Sequence, residues 1–358
     1  MTEAYHPTMA QRVQLFKDYY ARQNTRPLLG FFHGSEYPLF RYEAAKSLTQ
    51  HRHLTPDDFK VEPYLEDCDR LFESHEACGG DFIFSPPAFW GIPWVEAALG
   101  CPLYANQSTG SIHAETPESF SGPDSIPAFD PGSPWMLKMV EFLDAMAAHA
   151  DGRYPLSTTR MRGIADLLSA LYGGEKFLFA MMSDAEVIHQ TADKLADLWI
   201  GMGRLQLEHI PEFHGGTGSF YYSMWAPAGT VWHQEDAAAL LSPNLYKEFI
   251  QPCDQRIVEA FGGCIMHMHP GGYLPYREYL GMNFLALELH VDEGGPRARD
   301  LFDIHQEILQ RKPLLIWGGL QEEDMDWIFS QLPPQGLAVN TVVQSAEQAR
   351  QLYQKYIR

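Results

Sequence analysis

Basic character is what this sequence most clearly lacks. No run of lysine or arginine occurs, and acidic side chains outnumber basic ones 46 to 26, which gives a formal net charge of −20. A chain of this charge without a basic patch is a poor partner for nucleic acid or for an anionic membrane surface. The charge also disfavours a polyanionic substrate, unless the binding pocket itself is locally positive.

Cysteine is scarce, and its arrangement excludes the usual cysteine frameworks. The cysteines are odd in number, scattered, and never spaced as C-x-x-C. We therefore expect neither a disulfide framework nor a structural zinc knuckle. The five are Cys68, Cys78, Cys101, Cys253 and Cys264.

Long apolar runs and targeting signals are also missing. No apolar run reaches the length of a membrane span, and the first residues have neither the basic region nor the apolar region of a secretory signal. The sequence thus predicts a soluble, cytoplasmic protein. An apolar fraction of 45%, with 13% aromatic residues, is enough for a large core and excludes a disordered chain.

Apolar segments alternate with helical patterns, and from residue 263 onward the alternation is regular. It predicts an α/β protein, a single closed (β/α)8 TIM barrel over 1–358. A helical extension is expected at 1–25, and a long loop or lid at 102–134, after the second strand. The eight strands are predicted at 26–33, 81–87, 154–158, 216–222, 264–269, 284–291, 313–318 and 337–343.

The segment CIMHMHPGGY at 264–273 is the most informative stretch of the chain. Alternate residues of a strand share a face, so His267 and His269 point one way while Met266 and Met268 point the other. Two imidazoles just before a Pro-Gly-Gly turn are typical of a pocket at the carboxyl edge of a parallel sheet. The structural alternative is a pair of core histidines bonded to backbone.

The next predicted strand adds a carboxylate and a third imidazole to the same edge. Its leucines occupy one face, while Glu288 and His290 occupy the other. Because consecutive strands of a barrel are neighbours, we expect His290 to lie near His269. With His267, these residues could hold a divalent metal, or they could form a general acid–base cluster. The spacing does not decide between the two.

Further candidates follow the other predicted strands. Glu235 and Asp236, expected on the loop after the fourth strand, are candidate catalytic partners of His267, or else a charge pair at a helix N-terminus. The aromatic candidates could equally belong to the core. The candidate substrate-binding residues are His33, Trp90, Trp94, Glu96, Tyr222, Trp225, Gln234, Trp317 and Asn340.

The chain resembles one known family over nearly its whole length, and three segments carry most of this resemblance. LSPNLYKEFIQP at 241–252 is similar to a Ser-Pro-…-Phe-…-Pro helix, the H-x-H-x-G at 267–271 to a His-x-Cys-Gly motif, and 163–174 to the helix after a third strand. These are features of the uroporphyrinogen decarboxylase superfamily, and WGIPWVEAALGC at 90–101 resembles a bacterial branch of it. The resemblance implies a (β/α)8 barrel, enzyme chemistry of decarboxylase or of zinc-dependent corrinoid and thiol methyltransferase type, and a homodimer.

This sequence departs from that family at residues that bind the substrate or the zinc ion, which excludes some of the family's reactions. The decarboxylase binds its substrate with arginines after strand one, where this chain has FFHGSEY at 31–37, and it has an aspartate where this chain has Pro86. Uroporphyrinogen is therefore not the expected substrate. The methyltransferases bind zinc through His-x-Cys and a later cysteine. Here His269 replaces the first cysteine, and no cysteine follows Cys264.

Two classes of function remain open. In the first, the chain is an enzyme acting on a small or medium organic substrate. Its reaction would be methyl transfer assisted by histidine-bound zinc or another divalent metal, with a corrinoid supplied by a partner protein, or a cofactor-independent decarboxylase or lyase reaction. In the second, it is a barrel that binds a ligand without catalysis. The polar cluster favours an enzyme, because decayed sites tend to fill with small or apolar residues.

Overall fold

The computed structural model describes residues 7–50, 53–174 and 176–357. Within these ranges the strands are β1 (Leu28–His33), β2 (Leu103–Asn106), β3 (Ser111–Ala114), β4 (Gly216–Ser219), β5 (Met224–Pro227), β6 (Thr230–Gln234), β7 (Gly263–Met268), β8 (Ala286–Val291), β9 (Leu314–Gly318) and β10 (Leu337–Val343). The α-helices are α1 (Met9–Tyr20), α2 (Pro38–Arg41), α3 (Val61–Cys78), α4 (Trp94–Ala98), α5 (Pro134–Ala150), α6 (Ile164–Tyr172), α7 (Lys176–Ser183), α8 (Ala185–His209), α9 (Pro243–Leu245), α10 (Gln251–Glu259), α11 (Tyr276–Gly281), α12 (Phe302–Leu309), α13 (Glu322–Gln331) and α14 (Ala346–Ile357). A π-helical turn, Tyr246–Ile250, joins α9 to α10.

The centre of the fold is a six-stranded parallel sheet in the order β1-β10-β9-β8-β7-β6. Its strands are buried along almost their whole length, as expected where helices cover a parallel sheet. In the register of this sheet, Gln234 lies beside His267, and His267 lies beside Glu288. Because all six strands run the same way, their carboxyl ends meet at one edge.

The predicted strands at 26–33, 264–269, 284–291, 313–318 and 337–343 are present as β1, β7, β8, β9 and β10. The fourth predicted strand is present only in part, as β4, which has one parallel bridge from Gly218 to Ser157. It pairs with β5 as an antiparallel hairpin, whose turn holds Tyr221 and Ser223 at positive φ. The parallel strand is β6, in a segment expected to be a loop. Thr230 and Trp232 favour a strand, but the polar residues His233 and Gln234 at its end are typical of a loop.

The segments at 81–87 and 154–158 do not form regular strands. Pro86, Pro87 and Pro155 have no N–H group, so they interrupt the ladder of hydrogen bonds that a central strand needs. Backbone hydrogen bonds still join the first segment to β1 and to the second segment. The structure therefore shows an α/β fold on a six-stranded parallel sheet, and the closed eight-stranded barrel stays a prediction.

The expected extension and loop both contain secondary structure. In the extension, α1 begins at a capping box between Thr8 and Gln11 and buries Phe16 and Tyr19, while residues 1–6 lie outside the described residues. In the loop at 102–134, β2 and β3 pair as an antiparallel hairpin. No helix in the described ranges is long and apolar enough to cross a membrane.

Candidate functional site

A pocket of about 420 Å³ opens at the carboxyl edge of β6, β7 and β8. Pockets of this size bind small organic molecules. The sheet contributes Gln234, His267, His269 and His290 to its wall, and the β2–β3 hairpin closes the opposite side through 111–114. The three predicted histidines line this one pocket, and their chemical role stays a prediction.

His267 is held from behind by a buried carboxylate. Its Nδ1 donates to Glu288 Oε2 in a very short hydrogen bond. Tyr222 donates its hydroxyl to the same oxygen at 2.7 Å and accepts from Trp232 Nε1 at 3.2 Å. Glu288 is fully buried and does not line the pocket, so it acts on a ligand there through its hydrogen bond to His267. This network fixes the proton of His267 on Nδ1 and turns Nε2 toward the pocket.

His269 has a carboxylate of its own. Its Nδ1 lies 2.8 and 2.9 Å from the two carboxylate oxygens of Asp292. Burial by itself lowers the pKa of His269, but the hydrogen bond to Asp292 and the nearby acidic charges raise it to about 9. Without a bound cation, His269 therefore carries a positive charge at neutral pH.

The two histidines meet through their outward-facing nitrogens. His267 Nε2 and His269 Nε2 are 2.8 Å apart. Because each ring uses its Nδ1–H for a carboxylate, two neutral rings would point lone pairs at each other. The arrangement is favourable only if His269 carries a second proton or if a cation binds both Nε2 atoms.

His290 completes a group of three. Its ring centroid lies 4.8 Å from that of His269, and one nitrogen from each of the three rings lies within 4.8 Å of the others. Burial lowers the pKa of His290 to about 4, so the ring is neutral, and its buried Nδ1 has no hydrogen-bond partner in the described residues. Three imidazoles with two of them oriented by carboxylates fit a divalent metal site with an open position.

Glu288 was expected as a further ligand, but the structure places it in the second layer. Its Oε2 is engaged by Tyr222 and His267, and its Oε1 is buried without a partner in the described residues. A carboxylate in this position orients a histidine and raises the basicity of its other nitrogen.

Glu235 does not contact His267. Its carboxylate caps α6, accepting from Ile164 N at 2.6 Å and Ala165 N at 2.8 Å. It belongs to a second, fully buried group with His233 and Asp254, in which His233 Nε2 lies 2.8 Å from Asp254. Burial, followed by the charge of Asp254, raises the pKa of Glu235 well above its ordinary value. The geometry therefore supports the helix N-terminal alternative for Glu235.

Asp236 is an exposed residue of the pocket wall. It accepts from Gln234 Nε2 at 2.7 Å, so both predicted residues are placed side by side at the entrance. The same Nε2 lies 3.2 Å from Asp166, at the start of α6. This pair can contact a ligand, whereas no described contact joins Asp236 to His267.

The remaining candidates divide into two groups. Trp90 lines the pocket, and Trp317 packs below it with its ring centroid 5.9 Å from that of His290. The others serve the core or the strand ends: Trp94 donates to Phe89 O, Trp225 to Phe213 O and Asn340 to Tyr222 O, Glu96 pairs with Arg162, and His33 contacts Ser74 and Gln344.

Sequence reasoning missed several residues that line the pocket or contact its histidines. Asp292 follows His290 as H-V-D, one position beyond the predicted strand, and the alternation of β8 would have found it. Arg160 follows the segment at 154–158 and lines the pocket, as do Tyr221 and Trp232. A basic residue two positions after a predicted strand was the available signal for Arg160.

Comparison with solved structures finds this fold in a methyltransferase from Methanosarcina mazei, at a TM-score of 0.62 and 12% sequence identity. The alignment covers 97% of this chain and 97% of that one. At such low identity the likeness shows the fold alone. Comparison with protein-family profiles gives no match, and none of the curated proteins matches.

Proposed function

We propose that the chain is a metal-dependent enzyme that transfers a methyl group in the pocket described above. The observation that carries this proposal is the pair of Nε2 atoms, from His267 and His269, facing each other at 2.8 Å with a carboxylate behind each ring. His290 would be the third ligand. A divalent ion such as zinc, held by three imidazoles, lowers the pKa of a thiol or water bound to it.

The ligand set distinguishes this site from a thiolate-rich zinc site. None of the described residues that line the pocket is a cysteine. Three neutral imidazoles leave the full charge of the ion on the site, which favours the ionised form of an acceptor thiol or alcohol. The protein's own contribution is to orient the rings, hold their protons on Nδ1 and place aromatic walls around the substrate.

Methyl transfer is the reaction that the combined observations favour. The H-x-H-x-G segment at 267–271 resembles the zinc-binding motif of corrinoid and thiol methyltransferases, and the fold is shared with a methyltransferase. In this proposal the methyl donor is a methyl-corrinoid brought by a partner protein, the acceptor is a small thiol, and the chain acts as a homodimer.

We also propose that the sheet closes into a distorted (β/α)8 barrel. Isolated parallel bridges join Pro87 to Ser157 and Arg162 to Gln234. In this arrangement the segments at 81–87 and 154–162 take the places of the second and third strands, and β6 takes the place of the fourth. Closure would put every strand end around one pocket.

Metal content of the purified protein tests the proposal. We expect near-stoichiometric zinc or another divalent ion in the wild type, and its loss in both His267→Ala and His269→Ala. The matched control is His209→Ala, because His209 pairs with Asp144 at 2.7 Å on the surface in the same way that His269 pairs with Asp292. A wild type without metal after purification in metal-supplemented medium would exclude the metal-dependent reading.

The methyl-transfer step needs its own assay. Methylcobalamin would be supplied as methyl donor with a panel of small thiols, and loss of the cobalt-bound methyl group would be followed by absorbance. Turnover that depends on the bound metal supports the proposal. A metal-loaded protein that leaves methylcobalamin unchanged with every thiol would retain the metal site but exclude this reaction.

One observation favours a second candidate, decarboxylation or lyase chemistry without metal. His269 has a pKa raised to about 9, after the lowering effect of burial is overcome by Asp292 and other acidic charges. A protonated imidazole at the pocket wall is a proton donor suited to a carbanion formed on loss of carbon dioxide. Activity that survives removal of all metal by a chelator would favour this candidate.

A further inference from the structure

Arg160 is an arginine of the pocket wall and lies over the ring of Trp90. Its guanidinium lines the cavity yet makes no hydrogen bond or ion pair with any residue that the structure describes, and its Nε is buried without a partner. Burial lowers the pKa of Arg160 from its ordinary value, but a guanidinium remains charged at neutral pH. Arg160 is half-buried, and a partly desolvated guanidinium without a hydrogen-bonded partner gains from a bound anion.

Arg162, two residues further on, shows what a paired arginine looks like in the same pocket. It also lines the pocket, but its Nη1 lies 2.8 Å from Glu96 Oε1 and its Nη2 3.7 Å from Asp166 Oδ1. Its charge is therefore neutralised inside the protein. Of these two arginines, Arg160 is the one without a hydrogen bond or ion pair among the described residues, so its whole guanidinium fork is left for a ligand.

The surroundings of Arg160 limit what that ligand can be. Trp90 lies under the guanidinium, 5.9 Å from ring centroid to Cζ, and the neighbouring walls are the rings of Tyr221 and Trp232. Asp236 also lines the pocket. One free cation beside a carboxylate suits a single negative charge, and aromatic walls suit a flat or apolar body.

We propose that Arg160 binds the carboxylate of an aromatic or otherwise flat, apolar monocarboxylic acid, whose other end carries the acceptor thiol and reaches the three histidines. This names the substrate class of the same pocket, and in that respect it rests on the proposed function. A guanidinium binds a planar carboxylate through two parallel hydrogen bonds, which also fixes the orientation of the substrate. Arg160 is thus a substrate-binding residue for the acid group.

Calorimetric titration of the purified, metal-containing protein tests the inference with three probes of similar shape. Benzoate carries one negative charge, benzamide is its neutral counterpart, and phenyl phosphate carries a larger, more highly charged group. We expect benzoate to bind at least tenfold more tightly than either of the others. Phenyl phosphate binding as tightly as benzoate would overturn the assignment of a monocarboxylate.

Variants at Arg160 connect the binding to the residue. We expect Arg160→Gln to weaken benzoate binding about ten- to a hundredfold, with little change in melting temperature because no hydrogen bond or ion pair among the described residues is lost. Arg160→Lys should retain part of the affinity. Arg153→Gln removes the same charge from a surface arginine paired with Asp69, and it should bind like the wild type. Equal affinity in wild type and Arg160→Gln would overturn the inference.

The two proposals fail in different ways. If the wild type holds metal but benzoate does not bind, the assignment of Arg160 is wrong and the metal site stands. If the wild type holds no metal but benzoate binding is lost in Arg160→Gln, the metal-dependent function is wrong and the carboxylate site stands. Metal content of Arg160→Gln should equal that of the wild type in either case.

Discussion

Two groups of histidine and carboxylate lie on neighbouring strands of the same sheet, and they differ in what their polar atoms contact. The pocket cluster, His267, His269 and His290, faces the cavity. The sealed cluster, His233, Glu235 and Asp254, is fully buried. Both contain residue types that bind metals, so composition does not separate a functional group from a structural one.

Hydrogen bonding does separate them. In the sealed cluster, Glu235 accepts from two amides of α6 and Asp254 accepts from His233 and from Tyr246 at 2.6 Å. Its oxygens are used to join α6, β6 and α10. Around the pocket cluster, Glu288 and Asp292 also accept hydrogen bonds from protein side chains, but the Nε2 atoms of His267 and His269 remain for a ligand. A functional cluster is recognised by the atoms it leaves available toward a cavity.

The largest stability effect is expected in the sealed cluster. Asp254→Ala would leave His233 Nε2 and the Tyr246 hydroxyl without their buried partner, so we expect the free energy of unfolding to fall by about 3 kcal/mol. Metal content should not change. Denaturant unfolding measures the loss, and Asp144→Ala, which breaks the surface pair with His209, should cost less than about 0.5 kcal/mol. Loss of metal from Asp254→Ala would mean that the sealed cluster is the metal site.

A third kind of buried histidine sharpens the comparison, because it has no carboxylate. His305 is buried with neither nitrogen bonded in the described residues, and burial lowers its pKa to about 4. The unfolded chain binds this proton below about pH 6.5, so folded stability decreases as the pH falls from there toward 4. At pH 5 this effect of His305 lowers the free energy of unfolding by roughly 2 kcal/mol relative to neutral pH.

We therefore expect His305→Leu to lose less stability than the wild type between about pH 7.5 and 5, measured by denaturant unfolding at each pH. Some loss should remain, because burial also lowers the pKa of His75 to about 4. Identical pH profiles for the two proteins would show that protonation of His305 does not oppose folding.

The smallest expected effect concerns the orientation of a pocket histidine. Asp292→Asn keeps an acceptor beside His269 Nδ1 but removes the charge that raises its basicity, so we expect about tenfold weaker metal binding. The competition with a chelator should be measured near pH 9.5, above the pKa of about 9 of His269, where protons no longer compete with the metal. Asp144→Asn is the control. Unchanged affinity would make Asp292 a surface residue without a part in the site.

Much of the pocket cluster could be predicted from sequence because it depends on local rules. The period of two along β7 and β8 places His267, His269, Glu288 and His290 on matching faces, and parallel neighbours bring those faces together. Asp292 obeys the same rule, and it was missed only because the strand was ended at Val291.

The remaining features depend on contacts that spacing does not encode. Glu235 caps a helix that begins 71 residues earlier in the chain, so its role follows from the packing of α6 against β6. β6 was missed because its polar residues are buried with hydrogen-bond partners from other elements, as His233 is with Asp254, and the sequence pattern does not show these partners. The prolines at 86–87 and 155 were visible in the sequence and should have limited the second and third strands.

The hydrogen-bond chain behind His267 has a consequence for the energetics of ligand capture. Trp232 donates to Tyr222, and Tyr222 and His267 both donate to the same oxygen of Glu288, so the hydrogen bonds converge on this buried carboxylate. Because a carboxylate only accepts, the tautomer of His267 with its proton on Nδ1 is the one that satisfies Glu288. The imidazole is therefore set in its receptive tautomer before a ligand arrives, and binding incurs little reorganisation energy on this side of the pocket.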